Sequence, residues 1–248
     1  VDYRLMTSEP GLIRSTILAL GIALAGFLAS NGFVRAKAAD RYVTVKGVSE
    51  REVKADLAIW PLHLVGADND LVAANEKLAK STANVRAFLV RHGVDTTQIQ
   101  TTGFSAVDAL ANQYTPDRTP TNRYIVNQTV LVRSTHPELV LKASQQIGEL
   151  AAIGVVISSG GEGGGGGPSF VFSGLNKLKP DMIADATARA REGATQFARD
   201  SHSDLGAIRQ ANQGYFEILP RDQSPGIDES SQIAKLVRVV VTIDYYLR

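Results

Sequence analysis

The sequence predicts an α+β protein built as two similar strand-strand-helix-strand-strand halves joined by a helix and preceded by one N-terminal transmembrane helix. Three observations carry that prediction. Residues 15–34 contain no charge and are about as long as a helix must be to cross a bilayer. Two later stretches place apolar residues at helical spacing between segments of alternating or valine-rich strand character. The order of these elements then recurs with an offset of about 110 residues, as a duplicated unit would leave it.

The chain is divided accordingly into a tail (1–14), the apolar segment (15–34), a basic linker (35–41) and one domain (42–248) with halves at about 42–134 and 154–248. The apolar segment runs through Ile17, Leu20, Leu24, Phe27 and Leu28. Arg14 before it and Ala36-Lys37-Ala38 after it also fit a cleaved secretory signal. Its length favours an uncleaved anchor. Arg4 and Arg14 precede it while Arg35, Lys37 and Arg41 follow, so the positive-inside balance does not fix its orientation. The chain opens on Val1 rather than methionine, which predicts further residues upstream.

In the first half, 42–48 and 53–65 read as strands, with Pro61 marking a bulge or an edge. Asp68-Asn69-Asp70 supplies N-cap chemistry for a helix marked by Leu71, Ala74, Leu78, Val85, Phe88 and Leu89, which ends at His92-Gly93. Strands follow at 98–107 and 124–133, separated by a loop over 111–121 that holds Pro116, Asp117 and Pro120. A helix over 137–150 joins the halves.

The second half is read as strands at 155–158 and 170–173, a long helix opened by Pro180, and strands at 207–219 and 236–247. Pro suits a first helical position, where it forfeits no hydrogen bond. Met182, Ile183, Ala186, Ala190, Ala194, Phe197 and Ala198 then form a stripe that packs on a sheet. In the alignment of the halves, Gly47 faces Ile157, Thr102-Gly103-Phe104 faces Gln213-Gly214-Tyr215, and Tyr124 faces Leu236.

Composition excludes several functions. With 44% hydrophobic and 21% charged residues the chain is globular, not disordered. Its 26 basic and 25 acidic residues leave a net charge of +1, and aromatics make up 6% without interleaving a basic patch, which argues against nucleic acid as a partner. The absence of cysteine removes disulfides, thiolate metal sites and cysteine nucleophiles.

The run Gly160 to Gly167 contains the spacing of a dinucleotide-phosphate loop, but Pro168-Ser169-Phe170-Val171 after it reads as a strand where a helix is required. It is expected to be a flexible or oligomer-lining loop. His63, His92, His136 and His202 show no metal-ligand spacing, and His92 and His202 are expected as helix caps. Asp181, Asp185, Glu192, Arg189 and Arg199 are read as a solvated or subunit-contact face of the long helix rather than acid-base machinery. No nucleophile elbow occurs. No catalytic, cofactor-binding or metal residue is therefore assigned.

Val45-Lys46-Gly47-Val48-Ser49, Lys54-Ala55-Asp56-Leu57-Ala58, the helix segment Ala184 to Arg191, Leu205-Gly206 and the valine-rich final strand together resemble the SIMPL-domain family of bacterial envelope proteins. Family members often carry Gly-x-Gly where this chain has Gly47-Val48-Ser49, and Pro-Asp where it has Ala55-Asp56. The resemblance implies a periplasmic or inner-membrane-attached α+β protein. It also implies ring-, channel- or cage-like homo-oligomers, with some relatives linked to oxidative-stress protection. It implies no catalytic residues. The expected function is thus structural: a single-pass inner-membrane protein with its domain in the periplasm, its partners being copies of itself and the bilayer through 15–34. The alternative is a binding module or holdase for envelope protein clients.

Overall fold

The computed structural model describes residues 10–39, 41–111, 121–158 and 166–248, with the side chains of the first helix described over 15–31. Helix α1 is Pro10–Ala39. Then come β1 (Tyr42–Lys54), β2 (Leu57–Asp68), α2 (Leu71–Arg91), β3 (Ile99–Asp108), β4 (Tyr124–Ser134), α3 (Pro137–Gln145) and α4 (Gly148–Ala152). They are followed by β5 (Ile157–Ser158), β6 (Ser169–Val171), α5 (Leu175–Asp200), β7 (Leu205–Pro220) and β8 (Ala234–Leu247). The α+β class is as expected. Among the described residues, however, no helix is long and apolar enough to cross a membrane. The transmembrane span expected over 15–34 is therefore not found among them.

The strands form two sheets, one ordered β1-β8-β7 and one ordered β3-β4-β2-β5, with β6 also on β2. By packing, the described residues divide into two compact units. One takes in residues of 1–48, 184–214 and 240–248, the other 49–183 and 215–239. These units interleave along the chain and do not coincide with the two sequence halves. The long strands β1, β7 and β8 and the helix α5 contribute residues to both.

In the larger unit, β2 alternates strictly, burying Ala58, Trp60, Leu62 and Leu64. These pack with Ala74, Leu78, Val85, Phe88 and Leu89 of α2 in one apolar cluster. Each fully buried Leu or Phe contributes about 1.5–3 kcal/mol relative to exposure. The Asp70 carboxylate accepts the Ala73 N–H as the N-cap of α2, as its position predicts. In the smaller unit the alanine stripe of α5 is also as expected: Ala186, Ala190, Ala194 and Ala198 are all buried. Met182, one turn earlier at the same spacing, is buried as well, whereas Phe197 departs from the stripe and lies exposed.

The two long helices α2 and α5 are each seated on a strand glycine, but not in the pairing that the alignment of the halves expects. A Cβ on Gly66 of β2 would lie 2.4 Å from the Ala74 carbonyl oxygen and 3.1 Å from Leu78 Cβ, both on α2. A Cβ on Gly47 of β1 would lie 1.8 Å from the Ala186 carbonyl oxygen and 2.7 Å from Ala190 N, both on α5. The helix positions correspond at one offset, since 186 − 74 and 190 − 78 both equal 112. Each helix is thus seated directly on a strand glycine, and the counterpart of Gly47 is Gly66, not Ile157. The repeated unit is β2-α2-β3-β4 in one case and β1-α5-β7-β8 in the other.

Other boundaries also move. The first strand runs on to Lys54, and the next residue, Ala55, donates its N–H to the Ile233 carbonyl. The joining helix splits into α3 and α4 at Gln146-Ile147. Helix α5 starts at Leu175, so Pro180 lies inside it rather than at its first position. There its missing N–H leaves the Asn176 carbonyl without its helical donor.

Candidate functional site

Strands β3 and β7 each stand at the end of their sheet order and are thus edges, and each carries an exposed aromatic residue. Natural edges are normally short, charged, bulged or covered, because an unpaired ladder accepts another strand. Strand β3 has no charge from Ile99 to Val107 and is exposed over most of its length. Its one protection is a register shift against β4 between Thr102 and Ser105, made by Gly103 at φ 66°. That bulge sets Phe104 outward at 58% exposure. Strand β7 is 16 residues long with only Arg209 and Glu217 charged. Tyr215 on it is 93% exposed. Phe104 and Tyr215 are the aromatic residues that the sequence repeat sets opposite each other.

The hairpin of β3 and β4 is tied at its loop end. Arg123 donates to Asp108 Oδ2 from Nε (3.1 Å) and Nη2 (3.0 Å), and its guanidinium lies 4.9 Å from the Tyr124 ring centroid. The bond from Arg123, assisted by the Leu110 N–H, holds the Asp108 carboxyl below its usual range. The Lys77 ammonium, 2.6 Å from Asp68 Oδ2, does the same for Asp68. Both folded-state values are depressed, so the stability they contribute is complete above the unfolded carboxyl value of about 3.9 and is lost as pH falls through the lower folded values. Carboxyl NMR titration is expected to show Asp68 and Asp108 protonating below the ordinary aspartate range, and Arg123→Ala is expected to raise Asp108 toward that range while leaving Asp68 where it was.

The charged face of α5 is in place. Arg189 Nε donates to Asp185 Oδ1 at 3.2 Å, and Asp181 lies 3.9 Å from Arg51. Glu192 and Arg199, with Arg191 and Gln196, line a depression of about 770 Å³. These are exposed surface pairs, worth at most about 1 kcal/mol each, in keeping with a solvated or contact face.

The histidines are dispersed. His63 Nδ1 is 2.9 Å from Thr129 Oγ1. His92 is the C-cap of α2, its ring 4.4 Å from that of Phe88 and its Nε2 3.6 Å from Glu149. His136 precedes α3 at its N-cap, and His202 sits in the turn after α5 at φ 54°. Among the described residues no three His, Asp or Glu side chains are grouped to hold a metal. Gly160–Gly165 and residues 112–120 of the loop expected over 111–121 lie outside the described residues. Gly166 accepts the Trp60 indole N–H at 3.3 Å, and the strand β6 follows the glycine run as expected.

Two polar features escaped the sequence reading. Asp56 accepts both the Ser173 N–H (2.9 Å) and the Ser173 hydroxyl (2.8 Å), fastening the β1–β2 turn to the segment after β6. Lys235 is fully buried on β8, pairs with the Glu229 carboxylate and donates to the Glu229 carbonyl at 2.7 Å. Strand parity holds the signal for the second, since Lys235 shares the buried side with Val237, Val239 and Val241.

A family model described as "SIMPL: Protein of unknown function (DUF541)" matches residues 43–244. No curated protein matches the chain. Among solved structures, an uncharacterized conserved protein from Listeria innocua is similar at 12% identity over 78% of this chain and 92% of that chain, with a TM-score of 0.19. A hydrolase from Listeria innocua is similar at 12% identity over 78% of this chain and 91% of that chain, with a TM-score of 0.21. Neither likeness bears on the fold or chemistry of this chain.

Proposed function

The chain belongs to the SIMPL family, and from that membership we propose that it is a non-catalytic envelope protein, held at the membrane by α1, that associates with copies of itself through its strand edges. The observation that carries this reading is β7: a 16-residue edge with two charges and Tyr215 almost wholly in solvent. An edge of that length and polarity is a template for strand addition. Strand β3, with Phe104, offers a second. Closed assembly through two different edges gives rings or cages, whereas one self-complementary edge gives dimers. Membrane attachment is supported by α1, where Ile17, Leu20, Leu24 and Phe27 are all exposed and no charge interrupts the sequence from Ser15 to Val34. On this reading the bulk of the chain faces the periplasm, and protection of the envelope under oxidative stress is the setting in which such a scaffold acts.

Mass photometry of the full chain in lipid nanodiscs or detergent is expected to give one large discrete species. Phe104→Lys together with Tyr215→Lys is expected to reduce it to monomers or dimers with an unchanged melting temperature. Arg189→Glu with Arg199→Glu is expected to weaken it further if α5 shares the interface. A wild-type chain that is monomeric at micromolar concentration would overturn the proposal. Intact assembly in the double lysine variant, combined with lost protection of an unfolded client, would favour the holdase reading instead.

A further inference from the structure

A cleft of about 400 Å³ lies wholly within the larger unit. Its floor is Val65-Gly66-Ala67 of β2, one wall is the side of α2 bearing Lys77, Lys80, Ser81 and Asn84, and the other is the segment Ile153 to Val156. The opening follows from the pairing of β2. On one side β4 accompanies it as far as Asp68↔Tyr124. On the other, β5 pairs only at His63↔Ser158 and Leu64↔Ile157, after which Val156 and its predecessors leave the strand. Positive φ at Gly154 (79°) accompanies that departure. Val65 to Ala67 therefore have no strand neighbour on this side. The Ala67 carbonyl points into the gap, where it accepts Lys77 Nζ at 3.3 Å. Backbone groups two residues apart on a strand point the same way, so those of Val65 face the gap as well.

The lining divides into a polar and an apolar part. Lys77 is neutralised by Asp68. Lys80, one turn further along α2, has no ion-pair partner among the described residues, and the half-buried Ser81 and Asn84 have no side-chain hydrogen-bond partner there. Opposite them, Ile153 and Val156 are 56% and 64% exposed although each is a large apolar residue on an ordered segment. A volume of this size is within the ~300–1,000 Å³ of small-molecule sites, which pair an apolar lining with a few convergent polar groups. One uncompensated ammonium with two neutral hydrogen-bonding side chains selects a single anionic head group; an apolar wall at the far side selects an apolar body attached to it.

We propose that this cleft binds a small organic carboxylate carrying an apolar body, with the carboxylate on Lys80, Ser81 and Asn84 and the body against Val65, Ile153 and Val156. The site uses no residue of the strand edges β3 and β7 and does not depend on self-assembly. The test uses the full chain in nanodiscs, with empty nanodiscs as the blank, and 4-phenylbutanoate as the probe followed by calorimetry and saturation-transfer NMR. Saturable binding at one probe per chain is expected. Lys80→Glu is expected to weaken it at least tenfold and Ile153→Asp at least fivefold, both at exposed positions that leave the melting temperature unchanged. 4-Phenylbutanol is expected to bind more weakly and to be indifferent to Lys80→Glu. No saturable binding above the blank, equal affinity for acid and alcohol, or affinity within twofold of wild type in Lys80→Glu would each overturn the proposal. Oligomer mass, read in parallel, reports separately on the strand edges.

Discussion

Replacing Gly47 with alanine is expected to unfold the smaller unit or lower its stability by at least about 3 kcal/mol, the upper end of what overpacking costs. The added Cβ would stand 1.8 Å from the Ala186 carbonyl oxygen and 2.9 Å from its carbonyl carbon. These are backbone atoms of a helix, which cannot rotate away as the end of a flexible side chain does. Relief requires all of α5 to lift from β1, and lifting it uncovers the alanine stripe from Ala186 to Ala198. Urea denaturation of the full chain in detergent measures the effect. Gly66→Ala is expected to act in the same direction on α2, where the clash is with the Ala74 carbonyl oxygen. Gly193→Ala is the internal contrast: it lies on α5 with nothing within 4 Å of the new Cβ, so alanine there is expected to add about 0.5–1 kcal/mol through helix propensity. An unchanged midpoint for Gly47→Ala would mean that α5 does not rest on β1 as described.

Glu229→Gln is the second large effect. Lys235 is 0% exposed, and its ammonium is compensated by the Glu229 carboxylate. Neutralising the acid leaves a buried cation with a carbonyl as its remaining partner, a change that costs about 3–5 kcal/mol where water is excluded. Solvent reaches Glu229, which is 34% exposed, so the lower end of that range is expected. Lys235→Met removes the charge and keeps the volume, and is expected to cost less than Glu229→Gln. In the Lys235→Met background, Glu229→Gln is expected to be nearly neutral. A double-mutant cycle by chemical denaturation checks this, and additive losses would show that the pair is not coupled.

Periodicity and capping chemistry carried most of the secondary structure. Helix α2 was legible because Asp70 caps it and Ala74, Leu78, Val85, Phe88 and Leu89 mark a single face. The alanine stripe of α5 was legible for the same reason. Pairing was not. Nothing local in Tyr42 to Lys54 says that β1 lies beside β8 rather than beside β2, since a strand's partner is a property of distant sequence. The clue was steric: Gly47 and Gly66 both sit where a helix must approach a strand, and alignment by helix positions sets them together. Pro180 misled because proline is common at a first helical turn, yet the helix already begins at Leu175. The edge strands were visible as sequence but not as edges, because low charge in β3 and β7 reads equally well as a central strand.

The ends of the domain meet. Leu247 N–H donates to the Arg41 carbonyl at 2.8 Å, and Arg248 and Asp204 exchange two backbone hydrogen bonds of 2.9 and 2.8 Å. Strand β1 is among the first parts of the domain to be synthesised, while β8, which closes against it, is the last. At ~5–20 residues per second β1 therefore waits on the order of ten to forty seconds without its partner. Throughout that interval a thirteen-residue strand beginning with Tyr42-Val43-Thr44-Val45 is open to whatever meets it, be it a chaperone, the export machinery or another nascent chain. Loss of the final residues of β8 is accordingly felt at the opposite end of the domain, where β1 leaves the linker.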